Sequence, residues 1–202
     1  MSKKFILKSH FEEGLNREEF LMAKELYLET LENNPCAPIS HGSTIELIKL
    51  TKRDLGPIGP YIDLTIFESL NRIGSDLVLL TGAEKLFNDK IPGISPSTIT
   101  LKMGNKAGED IIIKTTDGKT IFGEAFNAAP SFCKTKMRDS IHKLLKNQEV
   151  IKEKKAVIFC NEDIKEILTG YSNQRLLVQH GFKLHIIYCD YEKNLIPQLE
   201  TN

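Results

Sequence analysis

Apolar positions recur along the chain with two different periods, and the changes of period mark the predicted elements. Phe20, Ala23, Tyr27 and Leu31 fall three or four residues apart, the stripe of an amphipathic helix. Asn16 with Glu19 has the spacing of a capping box at its start, and Asn33-Asn34-Pro35 closes it. Residues 1–14 read as an irregular or short extended start, and 35–42 as loop. Ser43 with Glu46 is a second capping box, opening a short helix to about residue 52. The Gly56–Pro60 segment, rich in glycine and proline, is a rigid break. It divides the chain into an N-terminal helical part, 1–58, and a core, 59–202. The helical period returns from about 63 to 72, is interrupted at Gly74, and resumes as a second helix over 75–87. Residues 97–103 alternate as a strand. Further on, Pro130 suits the first turn of a helix whose buried stripe is Cys133, Met137, Ile141, Leu144 and Leu145. Then come a short buried strand at 155–160, a helix over 163–180 broken near Gly170, a strand at 182–189 and a polar tail.

Between these lies the most informative stretch, 108–127. Two apolar runs flank Asp117-Gly118, a strong hairpin signal. A three-residue loop of Thr116, Asp117 and Gly118 pairs residue 115 with 119 and sets Asp110 opposite Glu124. A two-residue turn would instead put the two acids on opposite faces. In the first register Ile112, Phe122 and Phe126 share a face with both acids, while Ile111, Ile113, Ile121 and Ala125 occupy the other. Strands apolar on both faces belong in the middle of a covered sheet. Paired carboxylates there are costly unless they share a proton, hold a cation or reach solvent. The plainer alternative is two ordinary acids near the strand ends.

The predicted order is helix, three strands, helix, strand, helix, strand. It implies an α/β fold: an antiparallel meander, then a parallel pair joined by a crossover helix, with helices on both faces of a mixed sheet.

Composition narrows the class. With 202 residues and 41% apolar content the chain can bury a substantial core. Net charge is zero, yet residues 102–155 carry 12 Lys and Arg against 7 Asp and Glu. A local basic excess around the hairpin suits a polyanion, and is also common on solvated helices. The four cysteines lack Cys-x-x-Cys spacing and sit in or beside apolar segments, which favours buried thiols and a reducing, cytoplasmic setting. No apolar run is long enough to suggest a signal peptide or a membrane span. Gly104 and Gly108 precede no helix, so they form no phosphate loop.

The order of elements, an acid opening the second strand and a Glu-x-x triplet closing the third resemble the PD-(D/E)XK nuclease superfamily, whose best-known members are type II restriction endonucleases. Glu109-Asp110 stands where the family has Pro-Asp, and Glu124-Ala125-Phe126 where it has Glu-x-Lys. The resemblance covers roughly residues 60–190. It implies a restriction-endonuclease-like sheet with an N-terminal helical extension and a Mg²⁺-dependent endonuclease acting on double-stranded DNA as a homodimer. Asp110 and Glu124 would bind the metal together with the Ala125 carbonyl. Glu68 matches a further acid often found on the helix before the first strand; as an isolated residue it reads as an exposed helix glutamate. The departure is Phe126, which offers no charge. A base from the following helix would then serve, Lys136 ahead of Lys134, with Lys134 and Arg138 also placed to contact DNA. All three are equally readable as solvated bases on a surface helix. Phe126 also supports the alternative of a catalytically inactive nucleic-acid-binding or assembly module on the same fold.

Overall fold

In the computed structural model, residues 5–36, 42–88, 91–104, 108–169 and 181–193 are described. Helix α1 (Arg17–Asn33) starts as its sequence dictates. The Asn16 side chain accepts from the N–H groups of Glu18 and Glu19, and the Glu19 carboxylate accepts from the Asn16 N–H at 2.8 Å. Helix α2 (Thr44–Lys52) is capped by Ser43, but its box is half-formed, because Glu46 accepts from the Gly42 N–H instead. Helix α3 (Ile66–Asn88) runs unbroken for 23 residues, which corrects the interruption expected at Gly74. A Cβ at position 74 would lie 2.4 Å from Asn127 Nδ2, and one at Gly82 would lie 2.4 Å from the Phe159 ring. Both glycines let the helix approach its neighbours closely instead of ending it.

Five strands form one mixed sheet in the order β1 (Pro96–Leu101), β2 (Ile111–Thr115), β3 (Thr120–Phe126), β4 (Lys155–Asn161), β5 (Lys183–Cys189). The first three are an antiparallel meander; β4 runs parallel to β3, and β5 parallel to β4. The β2–β3 register is the one set by a three-residue loop, with Ile113 opposite Ile121 and Ile111 opposite Gly123. Thr115 and Lys119 close that loop, and Gly118 takes the left-handed conformation at φ 81°.

After β3, helix α4 (Cys133–Leu144) begins three residues beyond Pro130, which belongs to the preceding turn. A short helix not anticipated from the sequence, α5 (Gln148–Glu153), is capped by Asn147 and ended by Lys154 in the left-handed region. Helix α6 (Lys165–Thr169) follows β4; the expected continuation to 180 lies outside the described residues, as does the end of the polar tail.

Two apolar cores sandwich the sheet. One joins α1, α3 and the N-terminal segment to Ile111, Ile113, Ile121, Val157 and Phe159. The other joins α4, α5 and α6 to Phe126, Ile158 and Cys160. The two faces of the hairpin divide as its alternation predicts. The Gly56–Pro60 segment lies against the N-terminal residues: the Ile6 N–H donates to the Pro60 carbonyl, and Phe5 pairs with Tyr61. Among the described residues, no helix is long and apolar enough to cross a membrane.

Candidate active site

A cavity of about 400 Å³ opens where the first turns of α3, the β1–β2 connection and one flank of α4 meet at the end of the sheet. Glu68, Arg72, Lys102, Asp110, Lys136 and Lys143 are on its walls.

At its floor the hairpin ladder ends irregularly. Beyond the Ile111–Gly123 pair the chain departs from direct pairing: the Asp110 N–H donates to the Gly123 carbonyl at 3.0 Å. Asp110 Oδ2 accepts from the Ala125 N–H at 2.9 Å, giving that N–H the partner a longer β2 would have supplied. Asp110 is thus bound to the backbone of β3 rather than set opposite Glu124 across a regular ladder. Both carboxylates still converge on one cation. Lys143 Nζ donates to Glu124 Oε2 at 2.7 Å and lies 3.7 Å from Asp110 Oδ1. Glu124 is only 4% exposed, and its Oε1 is buried without a hydrogen-bond partner.

The electrostatics follow from that burial. Desolvation pushes the Glu124 carboxyl well above its ordinary value, the neighbouring Asp110 charge adds to the rise, and Lys143 opposes it. Desolvation likewise raises Asp110, partly offset by the Ala125 N–H and Lys143. For Lys143, burial favours the neutral amine, but the Glu124 hydrogen bond and the surrounding carboxylates outweigh it, and its pKa rises. The ammonium is therefore the charged partner the acids hold in place.

The residues expected from the sequence are distributed unevenly around this centre. Lys136 is on the cavity wall, but the base in contact with the carboxylates is Lys143, one heptad later on the same flank of α4. Lys134 and Arg138 lie on the other flank, exposed, with Arg138 paired to Asp139 at 3.4 Å. Glu68 closes a capping box at the start of α3: its Oε2 accepts from the Thr65 N–H and hydroxyl, while the Glu68 N–H donates to Thr65 Oγ1. Phe126 is buried against the α4 core. Lys143 was not legible in the sequence, because a base seven residues after Lys136 marks any solvated helix flank.

A further acid lies deeper in the cavity wall. Asp76 Oδ2 accepts from Tyr27 at 2.9 Å and from Tyr61 at 2.5 Å, and burial raises its pKa to about 7, with both tyrosines opposing the rise.

Among the described residues, no group of three or more His, Cys, Asp and Glu side chains is arranged to hold a metal ion. Two carboxylates suffice for Mg²⁺, which keeps several waters and takes further oxygens from a bound phosphate. The unpartnered Glu124 Oε1 is a buried acceptor that a hard cation would satisfy. No protein-family model, curated protein or solved structure matches this chain.

Proposed function

We propose that the chain is a Mg²⁺-dependent DNA endonuclease with a restriction-endonuclease-like fold, acting on double-stranded DNA as a homodimeric type II restriction enzyme in the cytoplasm. The observation that carries this reading is the convergence of Asp110 and the buried Glu124 on Lys143, with Asp110 and Lys143 on the walls of a cavity that holds three further cations. A phosphodiester is an anion that repels hydroxide, so its hydrolysis needs positive charge where negative charge grows. Asp110 and Glu124 would hold the metal with the Ala125 carbonyl. When bound, Mg²⁺ acidifies a water and stabilises the leaving oxygen.

The protein residues divide the remaining work. Lys143 stays protonated beside two acids, so it acts through its charge and its hydrogen bonds to phosphate oxygens rather than by accepting a proton. Lys136 meets the neighbouring phosphate from the same flank of α4. Lys134 and Arg138 contact the DNA backbone farther out. Glu68 fixes the first turn of α3 beside the site and adds negative potential near the cation. Water attacks phosphorus in line, the P–O3′ bond breaks, and a 5′-phosphate and 3′-hydroxyl result.

Plasmid cleavage tests this directly. Fragments are expected with Mg²⁺ and none with EDTA. Glu124→Gln and Lys143→Met are each expected to slow cleavage by about 100-fold or more, with an unchanged far-ultraviolet circular dichroism spectrum. Cleavage that persists in EDTA, or variants as fast as the parent, would remove the assignment. Phe126 favours a second reading, since the lysine place is filled by a buried apolar ring. DNA binding without cleavage under any divalent metal would make the chain an inactive binding or assembly module.

A further inference from the structure

None of the nine residues of α2 is buried. Leu47 and Leu50 are half-buried, while Ile45 is 80% and Ile48 50% exposed. A helix this short is marginal in water by itself, and most helices owe their stability to burying an apolar face. Ile45, Ile48 and Lys52 fall three and four residues apart, on one flank of α2. The Lys52 ammonium lies 4.8 Å from the centre of the Phe67 ring in the first turn of α3, so that flank runs on to α3. Leu55, 68% exposed, pairs through its backbone with Thr65 just before that turn, and Leu70, 51% exposed, lies one turn beyond Phe67. Exposed apolar side chains are ordinary one at a time. These lie along two touching elements, and with Phe67 they expose on the order of 500 Å². Apolar patches larger than a few hundred Å² mark interaction sites.

We infer that this face pairs with the same face of a second copy of the chain, the two α2 helices lying antiparallel across a two-fold axis near Leu47 and Ile48. Two features select a second copy. The first is area. A homodimer buries about 800 Å² per partner, about 65% of it apolar, so the patch supplies the apolar part of one such face. The second is charge. Glu46 is in the first turn of α2, and Lys49 and Lys52 are in its last. Antiparallel pairing sets Glu46 of each copy beside Lys49 of the other, twice by symmetry, and the N-terminus of each helix beside the C-terminus of its mate. A polyanion would gain nothing from Ile45, Ile48 and Leu55, and would meet Glu46. Phe67 also borders the cavity of the candidate site. Pairing here therefore brings two cavities close to one axis, as cutting both strands of a duplex needs; this use of the dimer rests on the nuclease reading above, whereas the pairing itself does not.

Sedimentation equilibrium of the full chain, without DNA or metal, is expected to give the mass of two chains. Ile45→Lys combined with Ile48→Lys is expected to weaken self-association by at least about 30-fold. The circular dichroism spectrum should not change, since neither side chain is buried. Lys49→Glu alone is expected to weaken self-association by roughly 2- to 30-fold, and Glu46→Lys with Lys49→Glu in one chain to restore it. Ile48→Cys, close to the axis, is expected to form a disulfide-linked dimer on mild oxidation. The parent, with its own four cysteines, and Met22→Cys on the exposed side of α1 are not. A monomer at about 100 μM, a dimer untouched by the two lysines, or no cross-link through Ile48→Cys overturns the inference and leaves the face to a partner of another kind. Mg²⁺-dependent cleavage by a chain that stays monomeric would keep the nuclease reading and remove this one. A parent that dimerises through α2 but cuts no DNA would do the reverse.

Discussion

Asp76 shows how one residue can link the stability of the fold to its candidate site. Its carboxyl has two tyrosine donors yet titrates near 7, because burial outweighs both hydrogen bonds. An acid whose pKa is higher in the folded than in the unfolded chain binds more protons in the folded state between the two values. Stability therefore falls as pH rises from about 4 to about 7, and levels off above that. A shift of this size corresponds to a few kcal/mol at most. Asp76→Asn removes the titration while keeping an acceptor for the tyrosines. Urea denaturation at several pH values is expected to give a shallower loss of stability over that window in the variant. Parallel curves for the two proteins would show that Asp76 does not titrate there. Neither Asp76 nor Lys143 was legible in the sequence. An acid three positions after Ile73 in a helical pattern looks solvated until Tyr27 and Tyr61 are known to close over it. Lys143 looks like any base on a helix flank until the carboxylates are placed below it.

Among the elements, α3 does most to position the site, and its contact with the sheet depends on glycine. At Gly82 an added Cβ would meet three carbons of the Phe159 ring at 2.4–2.7 Å. That ring is fully buried in β4 and has no direction in which to yield. Gly82→Ala is expected to lose about 1–3 kcal/mol or more through overpacking. Gly118→Ala, with open space around it but φ at 81°, is expected to lose only the backbone strain, about 1–2 kcal/mol. Urea midpoints compare the two, and a Gly82→Ala protein as stable as its parent would mean that α3 can stand off from the sheet. These contacts explain what local reading could and could not reach. The hairpin was legible from Asp117-Gly118, but the sequence left two turn lengths open; the observed pairing is that of the three-residue loop of Thr116, Asp117 and Gly118, and the alternation of Ile111, Ile112 and Ile113 then fixes the faces. The continuity of α3 was not legible, because a glycine in a helical pattern looks the same whether it breaks the helix or admits Asn127. The departure of Asp110 from the ladder depends on an Ala125 N–H left over where β2 ends, which no periodicity reveals.

For the whole molecule, the question is whether residues 1–58 and 59–202 stand apart. The larger core is continuous across that boundary, with Phe11, Phe20 and Tyr27 packed in the same cluster as Leu80, Ile99 and Ile113. The backbone crosses it too: Leu15 and Ile99 exchange hydrogen bonds at 2.7 and 2.8 Å, and the Leu101 N–H donates to the Phe11 carbonyl at 2.9 Å. Lys24 of α1 pairs with Glu84 of α3 at 2.8 Å, both partly or fully buried. Burying one large apolar side chain is worth about 1.5–3 kcal/mol. Phe11 and Phe20 alone then account for roughly 3–6 kcal/mol, a large share of the 5–15 kcal/mol typical of a whole domain. Removing the first 58 residues would expose that face of the sheet and leave Asp76 without Tyr27. Coincident urea transitions by circular dichroism and tyrosine fluorescence are therefore expected for the full chain, and a fragment of residues 59–202 is expected to be unfolded or aggregated. Two separated transitions, or a fragment that folds with the parent's midpoint, would show instead that the N-terminal helices form a unit that can be detached. The site is built from elements on the far side of the boundary, but Tyr27 of α1 reaches its Asp76 wall. A chain that unfolds as one unit would therefore lose its cavity together with its core.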